Sequence, residues 1–176
     1  MFELIKQDCY RYAGRLGIKE FFVNKGFQFT FFLRLSCPPL SPPIRIFCKI
    51  ILRYLTIKYG YEISEKTRIA GGLALVHLGG IVINQAAIIG KNCTIYKGVT
   101  IGGAWKDGKV FAPEIGDFVW IGANATIVGK IKIGNNVLIA SNSFINRDVP
   151  DNSLVIGNPA IIKPFNKINQ YIQYVL

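Results

Sequence analysis

From residue 89 onward, aliphatic residues return at every sixth position. Ile89, Ile95 and Ile101 stand at that spacing, and after an interruption Ile115, Ile121, Ile127, Ile133, Ile139 and Ile145 resume it. Outside the interruption, the residue four places after each is small or β-branched: Cys93, Val99, Val119, Ala125, Ile131, Val137, Ser143 and Val149. Glycine often takes the second place, as at Gly90, Gly102, Gly116, Gly122 and Gly134. The same beat runs weakly before this through Ile63, Ile69, Leu75 and Ile81, and a two-residue slip resets it at Ile83. A period of six suits neither a helix nor a simple alternating strand. It predicts a solenoid with a triangular coil, each side about six residues long. The aliphatic residue points inward, the small one sits near the corner, and glycine or asparagine relieves the turn. Four to five such coils fit between Ile63 and Val149. A sandwich of ordinary short strands does not account for so many isoleucines on one register.

The interruption is a feature in itself. Ile101 and Ile115 are too far apart for one side, so residues 102–114 leave the wall as an inserted loop. Its aromatic residues, Trp105 and Phe111, either cover their own coil or reach a neighbouring subunit. Flat prism sides with exposed apolar residues favour a homotrimer about a three-fold axis.

Before the repeat the pattern changes. Residues 1–61 read as a helical segment, 62–163 as the solenoid and 164–176 as a tail. One helix is expected over 19–35 and a second over 43–59, the latter with Pro43 at its start and Gly60 just past its end. Between them, prolines 38, 39, 42 and 43 force a rigid non-helical connector.

Composition narrows the possibilities. The chain has 176 residues, is 51% hydrophobic and carries a formal net charge of +11. It is too apolar for disorder. Its longest uncharged run, 69–90, contains His77, Asn84, Gln85 and several glycines, which argues against a membrane span. No secretion signal is expected. The four cysteines form no C-x-x-C pair and read as free thiols in a reducing cytoplasm. A single histidine argues against a zinc site, so no metal is expected. The basic residues are dispersed and no phosphate-binding loop is present, so nucleic acid is not an expected partner.

That histidine, His77, lies in Val76-His77-Leu78-Gly79-Gly80, where two glycines allow close approach. Imidazole is the usual general base for a hydroxyl near neutral pH, although it is also a common structural hydrogen-bonding group. A base of this kind wants a carboxylate to orient it, and Glu62 or Glu65, about one coil earlier, supplies the nearest. Cys93 occupies an inward slot and reads as core.

Residues 76–103, VHLGGIVINQAAIIGKNCTIYKGVTIGG, and 113–160 resemble the hexapeptide-repeat acyltransferases, in particular the serine acetyltransferase branch. The helical start and YGYEIS at 59–64 look more like polysaccharide-biosynthesis O-acetyltransferases of the colanic acid type. The resemblance implies a left-handed parallel β-helix, a trimer with sites between subunits, and acetyl-CoA as acyl donor. It makes His77 the base and Glu62 its orienting acid, and it assigns Gly103 and Ala123 to contacts with the donor. Lys163 and Lys167, just after the last coil, are the expected phosphate ligands. Val76, Phe111 and Ala112 stand where serine acetyltransferases carry polar contacts to serine. Together with Trp105 they point to a saccharide acceptor, free or lipid-linked, with serine O-acetylation in cysteine biosynthesis as the alternative and a non-catalytic trimeric scaffold as another. A lipid-linked acceptor and the basic, aromatic start imply weak, salt-sensitive attachment to the inner membrane face.

Overall fold

The computed structural model describes residues 1–106 and 108–176; Asp107 of the inserted loop lies outside the described residues. The repeat winds into a parallel three-faced prism. The first face stacks Tyr61–Ile63, Ile81–Ile83, Thr100–Gly102, Thr126–Val128 and Phe144–Ile145. The second stacks Arg68–Ile69, Ile88–Ile89, Glu114–Ile115 and Lys132–Ile133. The third stacks Ala74–Val76, Thr94–Tyr96, Trp120–Ile121, Leu138–Ile139 and Ser153–Ile156. Register follows the isoleucine beat: Ile83 pairs with Ile63 and Ile101, Ile121 with Ile95 and Ile139. Of the inward residues in these strands only Ile69 is not fully buried.

The corners explain the asparagines. Asn92, Asn124, Asn136, Asn142 and Asn152 all have φ between 54° and 61°, a left-handed conformation that Asn tolerates better than most residues. Their amides stack from coil to coil, Asn124 donating to Asn142 at 3.3 Å and Asn136 to Asn152 at 3.2 Å.

Three departures from the simple period matter. The slip before Ile83 is a longer corner at residues 77–80, placed so that Ile81 pairs with Tyr61 and Ile83 with Ile63. The last coil is shortened: Val149 bridges Ile133 and so takes an inward wall slot rather than the corner slot expected for it. The inserted loop is an antiparallel hairpin, Ala104–Lys106 with Lys109–Phe111. Trp105 on it is 73% exposed, so it does not cover its own coil.

Four helices cap the first coil: α1 (Phe2–Ala13), α2 (Ile18–Val23), α3 (Lys25–Leu35) and α4 (Pro42–Tyr59). α1 was not expected, and the helix expected over 19–35 is broken at Asn24. α4 begins with proline and ends at Gly60, whose φ of 70° closes a left-handed cap. The cap is clasped to the prism by a buried polar network. Asp8 accepts from Arg34 Nε at 2.9 Å and from the amides of Gly72 and Leu73, both at 2.9 Å. Arg34 also donates to the carbonyls of Ile69 and Ala70.

After the last coil the chain turns back. Ile161–Pro164 runs antiparallel to Ser153–Ile156. Ile168 and Ile172 then pack with Leu138 over the third face, beside Phe118 and Trp120. Arg11 of α1 donates to the carbonyl of Gln173, so the tail reaches the cap. Among the described residues no helix is long and apolar enough to cross a membrane.

Candidate active site

His77 occupies the enlarged corner between the third and first faces, with its side chain exposed. Its φ is 62°, a left-handed conformation uncommon for non-glycine residues, though less so for histidine and asparagine. Two contacts brace the corner: the buried Tyr61 hydroxyl donates to the His77 carbonyl at 2.9 Å, and the Gly79 amide donates to the Tyr59 carbonyl at 2.9 Å. The imidazole stands edge-on to Tyr96, with ring centroids 5.8 Å apart. His77 and Val76 border a cleft of about 370 Å³ between the prism and α3, together with Asn24, Lys25 and Leu78.

Glu62 projects outward from the first face into a different groove, of about 560 Å³, between that face and α4. The structure does not join Glu62 to His77 by a hydrogen bond within the described residues. The two candidate glutamates differ in their surroundings. Glu65 is engaged by Lys49 at 2.8 Å, and that hydrogen bond holds its carboxyl below the usual carboxylate range. Glu62 makes no such pair among the described residues.

The remaining expected residues fall elsewhere. Gly103 sits at the base of the hairpin, where a Cβ would lie 2.8 Å from Asn84 Nδ2. Ala123 is half-buried at the corner, and its carbonyl already accepts the Asn142 amide, so its N–H is the backbone group it can offer. Phe111 is half-buried under the Lys130 ammonium, 4.6 Å from the ring centroid, and Ala112 is half-buried beside it. Lys163 and Lys167 are both exposed near the tail. Cys93 is fully buried and its thiol is pushed up to about 12 by burial, so it holds no thiolate at neutral pH.

His77 and the hairpin leave the prism at different corners, separated by the first face. Six residues at about 3.3 Å each make that separation roughly 20 Å. One chain therefore does not bring the expected base and the expected hairpin residues together. Sequence reasoning missed Tyr61. The available signal was a tyrosine two positions before an inward isoleucine, on the same side of its strand, where a buried hydroxyl needs a partner.

Comparison with known proteins agrees with this architecture. The sequence profile of the family described as Bacterial transferase hexapeptide (six repeats) matches residues 112–147. Serine acetyltransferase 4 of Arabidopsis thaliana is 43% identical over 102 residues, 58% of this chain and 29% of that protein. The serine acetyltransferase of Synechococcus elongatus is 33% identical over 147 residues, 84% of this chain and 60% of that protein. The crystal structure of Neisseria gonorrhoeae serine acetyltransferase in complex with serine is 30% identical, with a TM-score of 0.76, over 92% of this chain and 68% of that one. The prism is thus the left-handed β-helix of hexapeptide-repeat proteins. The chain belongs to the hexapeptide-repeat acyltransferases related to the serine acetyltransferases. It spans less than two thirds of the length of the curated relatives given above.

These findings overturn the saccharide acceptor, free or lipid-linked, that Val76, Trp105, Phe111 and Ala112 suggested. They give no specific link to enzymes of the colanic acid type. The expected membrane attachment loses the lipid-linked saccharide that tilted the balance towards it, which leaves the basic, aromatic start as its sole ground. The saccharide reading weighed three side chains alone, and the groove beside Glu62, walled by α4, did not enter it.

Proposed function

We propose that this protein is an acetyl-CoA-dependent O-acetyltransferase whose acceptor is the hydroxyl of serine. The observation that carries the reading is the likeness, over 92% of the chain, to a serine acetyltransferase holding serine. An exposed histidine on a strained, buttressed corner supports it. In this reading His77 takes the hydroxyl proton as the serine oxygen attacks the thioester carbonyl, and the proton then passes to the departing sulfur. No covalent acyl-enzyme is formed, in keeping with the buried, protonated Cys93. Glu62 orients the imidazole once the side chains meet in the assembled site. Gly103 and Ala123 offer backbone N–H groups suited to the amide-rich arm of coenzyme A, and Lys163 and Lys167 its phosphates. The working unit is a homotrimer, because the hairpin of one subunit and His77 of another meet only across an interface. The free cysteines suit a cytoplasmic location.

Thiol release from acetyl-CoA with serine as acceptor tests this directly. His77→Ala is expected to lower kcat by roughly two to four orders of magnitude, the contribution of a general base. Wild-type rates in that variant, or a labelled acetyl group retained on the protein, would refute the direct mechanism. Sedimentation equilibrium should give a trimer at micromolar concentration, and Lys163→Ala with Lys167→Ala should raise KM for acetyl-CoA.

A further inference from the structure

Serine brings an ammonium and a carboxylate into the site with its hydroxyl, and charges that lose water there need partners. Val76, Phe111 and Ala112 offer none. The groove between α4 and the first face has charges to offer. Lys49 and Arg53 enter it from α4, and Glu62 and Glu65 from the prism, with Asn84 and Gly102 on its floor. Gly102 adjoins Gly103, one of the two residues proposed to contact the donor.

The four charges are not equivalent. Lys49 and Glu65 are bound to each other at 2.8 Å, so they neutralise one another and are not free for a ligand. Arg53 lies one helical turn beyond Lys49, on the same face of α4. It is exposed, and among the described residues it makes no ion pair or side-chain hydrogen bond. Among the described residues the groove is therefore left with one free cation, Arg53, and one free carboxylate, Glu62.

We infer that Arg53 is the acceptor-specificity residue that binds the carboxylate of serine; this rests on the serine reading above. A guanidinium presents two parallel N–H donors that match a carboxylate, and it keeps its charge throughout the useful pH range. Lys49, by contrast, is held by Glu65. Arg53 comes from the helical cap rather than the repeat, so the prism supplies the chemistry and α4 selects the acceptor.

The test compares serine with serinamide, which keeps the hydroxyl and ammonium but lacks the carboxylate. It uses the full chain as wild type, Arg53→Gln and Arg53→Lys. In Arg53→Gln, KM for serine should rise tenfold or more, while KM for acetyl-CoA and kcat/KM for serinamide stay unchanged. Arg53→Lys should recover part of the loss, since it restores charge without the fork. Unchanged melting temperatures, expected for an exposed side chain, separate this from misfolding. If the wild type acetylates serine and Arg53→Gln leaves its KM unaltered, the Arg53 assignment falls and the serine reading stands. If the wild type does not acetylate serine at all, the serine reading falls and this inference with it.

Discussion

Within the prism, nearly every inward isoleucine rests on another of its kind. Ile101 packs between Ile83 above and Ile127 below, Ile121 between Ile95 and Ile139, and nearly every one is out of water. At the junction with the cap, one carboxylate does what a whole column does in the prism. Asp8 is completely buried, and both its oxygens are taken by Arg34 and the amides of Gly72 and Leu73. A column of near-identical neighbours spreads its stabilisation over many contacts. A clasp concentrates it in a few groups that fail together. The same contrast separates the two residues with proposed roles, since His77 sits at a corner of the prism and Arg53 on the cap.

The largest expected effect is at the clasp. Asp8→Ala leaves the Arg34 guanidinium buried without its counter-ion and two amides without acceptors, a loss of about 3–5 kcal/mol. Because Asp8 joins two regions, the cap should melt separately and earlier, which far-UV circular dichroism against temperature will show. Ile121→Ala, in the middle of the third face, opens a cavity in the column and should cost about 2–5 kcal/mol in a single transition. Ile121→Val keeps the shape and should cost about 0.5–1.5 kcal/mol. One unsplit transition in Asp8→Ala would show that cap and prism unfold as a unit, and the contrast would fail.

What the sequence disclosed follows the same division. The wall was legible because each inward slot is repeated from coil to coil, so chance agreement is small. The slip between Ile81 and Ile83 stood out for the same reason, although only the structure showed it to be the enlarged corner at His77. Val149 was misplaced because valine suits both a wall slot and a corner slot, and only the shortened side around Arg147 and Asp148 distinguishes them. α1 went unseen for a different reason. The residues it buries fully are Asp8, Cys9 and Arg11, two of them charged, so burial along it does not follow hydrophobicity. A clasp made of unlike residues used once leaves no periodic trace, and neither does a groove shared between α4 and a strand.

Tyr61 lies where the two regions meet. Its ring stacks edge-on against Phe29 of α3 at 5.2 Å, while its hydroxyl holds the His77 carbonyl. Tyr61→Phe keeps the stack and removes one hydrogen bond, so stability should drop by about 0.5–1.5 kcal/mol. If the hydroxyl positions the base, kcat should fall about tenfold, some 1.4 kcal/mol of barrier, with KM for both substrates unchanged. An unaltered kcat would confine Tyr61 to packing.

The smallest effect concerns which faces would meet in the proposed trimer. The cap and the tail already cover the third face: Arg11 reaches Thr94, and Ile168 and Ile172 lie over Leu138. Neighbours are left with the other two. Outward positions on the second face include Arg68, Glu114 and Lys132, all exposed. Those on the first include Val82, Thr100, Val128 and Phe144, all half-buried in the single chain. Charges lose more than they gain when taken from water in imperfect pairs, so the second face should stay solvated and the first should turn towards the axis. Glu114 and Lys132 report on this, being 3.7 Å apart with side chains 53% and 77% exposed. In a solvated face their coupling, measured by a double-mutant cycle in denaturant unfolding, should be below about 0.5 kcal/mol and should vanish in high salt. A coupling well above about 1 kcal/mol that survives high salt would place the pair inside an interface, and the second face, not the first, would then be the one the subunits share.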